Sequence, residues 1–242
     1  MLLLAGSATA LATGLGAVPV FLLGERSHVL RPLLWGFAAG TMAVASVVGL
    51  LLPALDDGSF AEVGGGTAAG VAFMLGTRRF LATHDVRVGQ MDGQRVRSSL
   101  LVFSVLLVHS VPEGLAIGTA YASETAGLGL YVILAIALQN IPEGTSTAIP
   151  MEAAGFGRAQ QFWAAVLTSA PQPVAAVFAF LAVEQVTSLL PISFGFAAGA
   201  MLALVAFELV PQALAGRRWR GAFTGAAAGA ALMLLLAVLL GV

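Results

Sequence analysis

Runs of about 20 mainly apolar residues recur along this chain, and that is the length a helix needs to cross the hydrocarbon core of a bilayer. "SSLLVFSVLLVHSVPEGLAIGTA", from Ser98 to Ala120, is one of them. The chain is 59% hydrophobic and 10% charged, whereas a soluble domain carries about 25% charged residues. It cannot cover a water-facing surface, so the expected class is an all-α integral membrane protein. Eight spans are expected at roughly 2–24, 32–55, 60–81, 98–122, 127–150, 159–183, 191–214 and 221–241. The third, with "GGGTAAGVAFMLG", is the most glycine-rich. The N-terminal run contains "SATA" and so imitates a secretory leader. It lacks a positive first region, however, and exceeds the usual apolar length of about 7–15 residues, so it reads as the first span. Residues 1–242 form one transmembrane domain in this reading, with a polar cytoplasmic loop at about 82–97.

The arginines give orientation, since lysine is absent. Arg26 and Arg31 fall in the first loop, Arg78, Arg79, Arg87, Arg95 and Arg97 in the third, Arg158 beside the fifth, and Arg217, Arg218 and Arg220 in the seventh. All lie in odd-numbered connections, which the positive-inside rule puts in the cytoplasm, with both termini extracytoplasmic. The even connections hold Asp56, Asp57, Glu62, Glu124 and Glu184. They form either an acidic face that gathers cations or simply loops that avoid positive charge.

Two pairs of segments repeat. "GFAAGTM" at Gly36–Met42 returns as "GFAAGAM" at Gly195–Met201, on spans expected to run in opposite directions. That is the mark of an inverted-topology repeat. "HSVPEG" at His109–Gly114 is followed by "QNIPEG" at Gln139–Gly144, each about halfway along its span. Positions i and i+4 share a helix face, so His109 points with Glu113 beside Ser110, and Gln139 points with Glu143 beside Asn140. Pro112 and Pro142 cannot donate to the carbonyls of Val108 and Leu138. They therefore either open backbone groups toward a polar cavity or merely kink their helices. A carboxylate at the bilayer centre costs about 2.5–3.5 kcal/mol on insertion scales. Two facing each other need protons or a cation. Nitrogen and oxygen donors together suit a first-row ion such as Zn²⁺ better than Ca²⁺. Cysteine is absent, which excludes disulfides and thiolate sites. No basic cluster interleaved with aromatics points to nucleic acid.

On these motifs the sequence resembles the ZIP family of divalent-metal transporters, in its prokaryotic form. The resemblance implies a multi-pass protein of the cell (inner) membrane, set in lipid. It implies a homodimer that imports Zn²⁺, with Fe²⁺, Mn²⁺ and Cd²⁺ as further cargo, into the cytoplasm by alternating access. The metal is substrate, and no cofactor is expected. Carried over by motif, His109, Glu113, Gln139 and Glu143 would hold the principal ion. Ser110 and Asn140 would belong to a second position, with Glu113 and Glu143 bridging. Departures weaken that second position. "SAPQP" supplies the neutral Gln172 where the family often has a carboxylate, and Ser110 replaces a stronger amide. One tightly held ion is therefore expected. The loop carries only His84, so a histidine-rich loop sensor is not.

Four further residues are candidate pathway groups. Glu208 either serves as a station toward the exit or pairs with an arginine. Ser46 lines the route or packs helices, and Asp56 and Asp57 gather ions or end a helix. Two rival functions remain, an intramembrane metal-dependent hydrolase and a proton-coupled carrier of organic cations. The absence of an HExxH motif weighs against the first.

Overall fold

The computed structural model describes residues 2–83, 94–215 and 219–242, and among them every regular element is helical. The first span is α1 (Leu2–Leu15) with α2 (Val18–Leu23), and the second is α3 (Arg31–Ser46), a π-helical turn (Val47–Leu51) and α4 (Leu52–Asp57). Then come α5 (Phe60–Thr83), α6 (Gln94–Ala122) and α7 (Leu128–Ala153). The sixth span is α8 (Arg158–Thr168) with α9 (Pro171–Gln185). The seventh is α10 (Leu189–Leu204), a second π-helical turn (Val205–Leu209) and α11 (Val210–Leu214), and α12 (Trp219–Leu240) is the last. Among the described residues 7 of these segments are long and apolar enough to cross a membrane. The remaining one, α5, has the length at 24 residues, but its glycines and its polar ends dilute its apolar character.

Two spans expected to be continuous are broken. α1 stops before Gly16, and α2 restarts with Pro19 in its first turn. α8 stops at Thr168, and α9 restarts at Pro171. Proline lacks the N–H that would continue the helical ladder, so each restart carries it in a first turn, where no such N–H is needed. Both π turns have the same cause. Each ends two residues before a proline, Pro53 or Pro211. Without that proline's N–H, the carbonyl four residues back needs a wider turn to find a donor. The expected loop at 82–97 is shortened, because α5 reaches Thr83 and α6 begins at Gln94. Its centre, with His84, lies outside the described residues.

Small residues set the packing. The broadest contacts pair α5 with α10, α3 with α12 and α6 with α9. A Cβ on Gly36 or Gly40 of α3 would overlap the carbonyl oxygen of Ala222 or Ala226 in α12. A Cβ on Gly195 or Gly199 of α10 would meet the carbonyl of Val63 or Thr67 in α5 in the same way. The contacts advance together along both helices, so each pair runs parallel. The same separation in sequence links Gly36 to Gly195, Gly40 to Gly199, Val63 to Ala222 and Thr67 to Ala226. Close backbone approach through glycine is how helices associate where lipid removes the hydrophobic drive between them.

Candidate metal site

Glycine also builds the site. Gly114 and Gly144 each follow a motif glutamate. A Cβ on Gly114 would lie 2.5 Å from the Gln172 carbonyl oxygen of α9, and one on Gly144 would overlap the Thr13 carbonyl of α1. These two crossings press α9 against α6 and α1 against α7 at the level of the glutamates. Pro112 and Pro142 lie inside α6 and α7, both of which continue through them.

His109, Glu113 and Glu143 converge, with one ligand-type atom from each lying within 4.8 Å of the others. His109 Nε2 stands 3.6 Å from Glu113 Oε1 and 3.9 Å from Glu143 Oε1. Exposure is 0% for His109 and Glu113 and 3% for Glu143, so bulk water does not solvate the carboxylates. Among the described residues this is the one such cluster of histidine and carboxylate groups.

The two glutamates are treated differently. Glu113 accepts from two amides, with Gln139 Nε2 at 2.5 Å from Oε1 and Gln172 Nε2 at 2.6 Å from Oε2. Glu143 Oε1 has no hydrogen-bond partner, and neither do Gln139 Oε1 and both ring nitrogens of His109. Buried polar atoms are nearly always paired. Here several acceptors without donors gather at one point.

Behind Glu113 lies a second polar group. Asn140 Nδ2 donates to the Thr9 carbonyl at 2.9 Å and to Gln172 Oε1 at 3.2 Å. The Thr9 hydroxyl donates to Gln172 Oε1 at 2.7 Å, sharing its hydrogen with the Gly6 carbonyl at 2.8 Å. Nearby, Thr13 and Ser169 pair through their hydroxyls at 2.7 Å. Ser110 is buried, and its hydroxyl donates to the Leu106 carbonyl of its own helix at 3.1 Å.

The structure thus gathers His109, Glu113, Gln139, Asn140, Glu143 and Gln172, and sets Ser110 beside them. The other candidates stand apart. Ser46 donates to Met42 of its own helix at 2.7 Å. Asp56 and Asp57 are exposed at the end of α4. Glu208 forms an ion pair with Arg78 Nε at 2.9 Å, joining the seventh span to the third. Sequence reasoning missed Thr9, Thr13 and Ser169. A stripe at helical spacing, Gly6, Thr9, Ala10, Thr13 and Gly14, is buried along α1, and its two threonines one turn apart were the available signal.

Comparison with known proteins agrees with the motifs. A sequence profile described as ZIP Zinc transporter matches residues 61–237. The zinc transporter GufA of Myxococcus xanthus is 34% identical over 254 residues, which is 99% of this chain and 97% of that protein. The zinc transporter ZIPB of Bordetella bronchiseptica is 33% identical over 250 residues, 98% of this chain and 81% of the other. A putative zinc transporter of Arabidopsis thaliana is 36% identical over 208 residues, and there the chain spans only 33% of the relative's length. With a profile match over most of its length and bacterial relatives aligned over nearly all of it, this chain belongs to the ZIP zinc transporter family.

Proposed function

We propose that the protein imports divalent metal, Zn²⁺ foremost, through a midplane site held by His109, Glu113, Gln139 and Glu143. One observation carries the reading: buried His109 Nε2, Gln139 Oε1 and Glu143 Oε1 lack donors and lie around Glu113. A cation satisfies acceptors that no hydrogen bond reaches. Zn²⁺ binds nitrogen and oxygen at about 2.0–2.2 Å, so tetrahedral ligands lie about 3.3–3.6 Å apart. The spacings of 3.6 and 3.9 Å come to that range with a shift of a few tenths of an ångström. Ligand atoms within 4.8 Å of one another leave room for a bare ion and not for an organic cation. Membership of a transporter family sets aside the hydrolase.

The arginine distribution supports eight spans and cytoplasmic odd loops, and inward transport is what the family resemblance implies. A cavity of about 140 Å³ lined by Trp35, Val105, Leu106, Leu204, Glu208 and Gln212 supports an exit toward the arginine side. It adjoins α6 on the arginine side of His109. The constant offset between the glycine contacts of α3 with α12 and those of α10 with α5 supports an inverted repeat. The first, fourth, fifth and sixth spans pack on one another, as do the second with the eighth and the third with the seventh, and we read alternating access as movement of the first group against the second. We read the assembly as a homodimer in the cell's inner membrane. The test is ⁶⁵Zn²⁺ uptake into proteoliposomes. Wild-type protein should give saturable uptake that Glu143→Ala abolishes. Uptake unaffected by that change would overturn the assignment of the site.

A further inference from the structure

The unpartnered acceptors of the site, His109 Nε2, Gln139 Oε1 and Glu143 Oε1, belong to residues grouped at Glu113 Oε1, and the polar group at its Oε2 is closed. Gln172 Nε2 donates to Glu113 Oε2 at 2.6 Å and lies 3.4 Å from Asn140 Oδ1. Its nitrogen faces Glu113, whose Oε2 accepts from it. Gln172 Oε1 accepts in turn from Thr9 and Asn140. None of the polar side-chain atoms of Thr9, Asn140, Gln172 or Glu113 is left buried without a partner. Thr9, Asn140 and Gln172 are all 0% exposed.

We infer that Thr9 and Gln172 form a positioning relay for Glu113, in which the Gln172 amide nitrogen occupies the place between Glu113 Oε2 and Asn140 Oδ1 where a second cation would stand. This rests on the transport reading above. A cation there needs acceptors turned toward it, and the amide hydrogens already serve both. Together with Asn140 Nδ2, which donates to the same Gln172 Oε1, Thr9 reinforces that orientation of the amide. Its hydroxyl, one helix away, helps to pin Oε1 and so to hold Nε2 on the carboxylate. Glu113 Oε2 is thereby fixed, and Oε1 is presented toward His109 and Glu143. The chain is built to hold one ion, and a residue of the first span helps to set the geometry of that ion's ligand. Groups that orient metal ligands typically govern about 10- to 100-fold in affinity.

The full-length protein in detergent, stripped with chelator and reloaded with Zn²⁺, is assayed for bound metal per chain by elemental mass spectrometry, and for uptake in proteoliposomes. Wild type should hold one ion. Thr9→Val should still hold one, with affinity weakened about tenfold and KM raised more than Vmax is lowered, and Thr9→Ser should restore both. Gln172→Glu replaces the donor by an acceptor and should hold two. Two ions on wild type, one on a monodisperse Gln172→Glu, or unchanged affinity in Thr9→Val would overturn the relay. If Gln172→Glu does not fold, the wild-type stoichiometry and the Thr9→Val and Thr9→Ser pair decide alone. Failure of wild type to bind or carry Zn²⁺ would instead sink the transport reading itself.

Discussion

Glu113 and Glu143 begin as equivalent letters in two similar motifs, and the fold makes them unequal. Glu113 receives an amide donor on each oxygen, whereas Glu143 Oε1 receives none. An amide clamp fixes a carboxylate, and a bare one awaits its counter-charge. Removing a direct ligand should cost more than the about 10- to 100-fold of a supporting group. His109→Ala should therefore lower Zn²⁺ affinity beyond that range in a calorimetric titration. Ser46→Ala should leave it unchanged, because the Ser46 hydroxyl serves the Met42 carbonyl of its own helix. Zn²⁺ affinity should fall as pH falls, since metal binding requires neutral His109 and ionised carboxylates and so releases protons. A titration showing tighter binding at low pH would contradict this ligand set. The acceptors themselves were legible, because histidine and glutamate one turn apart in an apolar span have few other uses. Thr9 was not, because a threonine in a membrane helix usually bonds its own backbone, as Thr41 does to Phe37 and Ala38.

At the scale of elements, the spans were readable from length and apolar character, and the breaks from proline chemistry only after the fact. Pro112 and Pro142 sit within continuous helices, while Pro171 starts one. The sequence shows where an N–H is missing, not whether neighbouring helices will satisfy the freed carbonyl. The glycine contacts distinguish two kinds of glycine that look alike in sequence. Gly40→Val should destabilise by at least the about 1–3 kcal/mol typical of overpacking, since the group in its way is the Ala226 backbone carbonyl. Gly65→Ala has nothing within 4 Å of the added carbon and should be neutral, or stabilising by up to about 1 kcal/mol through helix propensity. Thermal melting of the two variants in one detergent checks the contrast, and equal melting temperatures would refute the packing argument.

At the scale of the whole molecule, the bundle that carries the site meets the remaining spans through α6 against α10 and α7 against α3. Across the first of these contacts Thr119 and Ser193 join hydroxyls at 2.6 Å. If alternating access separates these surfaces, a Thr119→Cys/Ser193→Cys pair should lose Zn²⁺ uptake on oxidation and regain it on reduction. The test is clean because the chain has no cysteine of its own, and uptake indifferent to oxidation would show that the two helices need not part. The apolar runs fixed helices as the spanning elements, because lipid offers a backbone no other partner. The spacing of each motif fixed which side chains share a helix face, because helical geometry is local. Which helices cross at Gly114 and Gly144, and therefore that Gln172 and Thr9 stand behind Glu113 and leave Glu143 bare, was decided by tertiary structure alone. Those contacts join residues far apart in the chain, and their strength depends on backbones approaching closely in three dimensions.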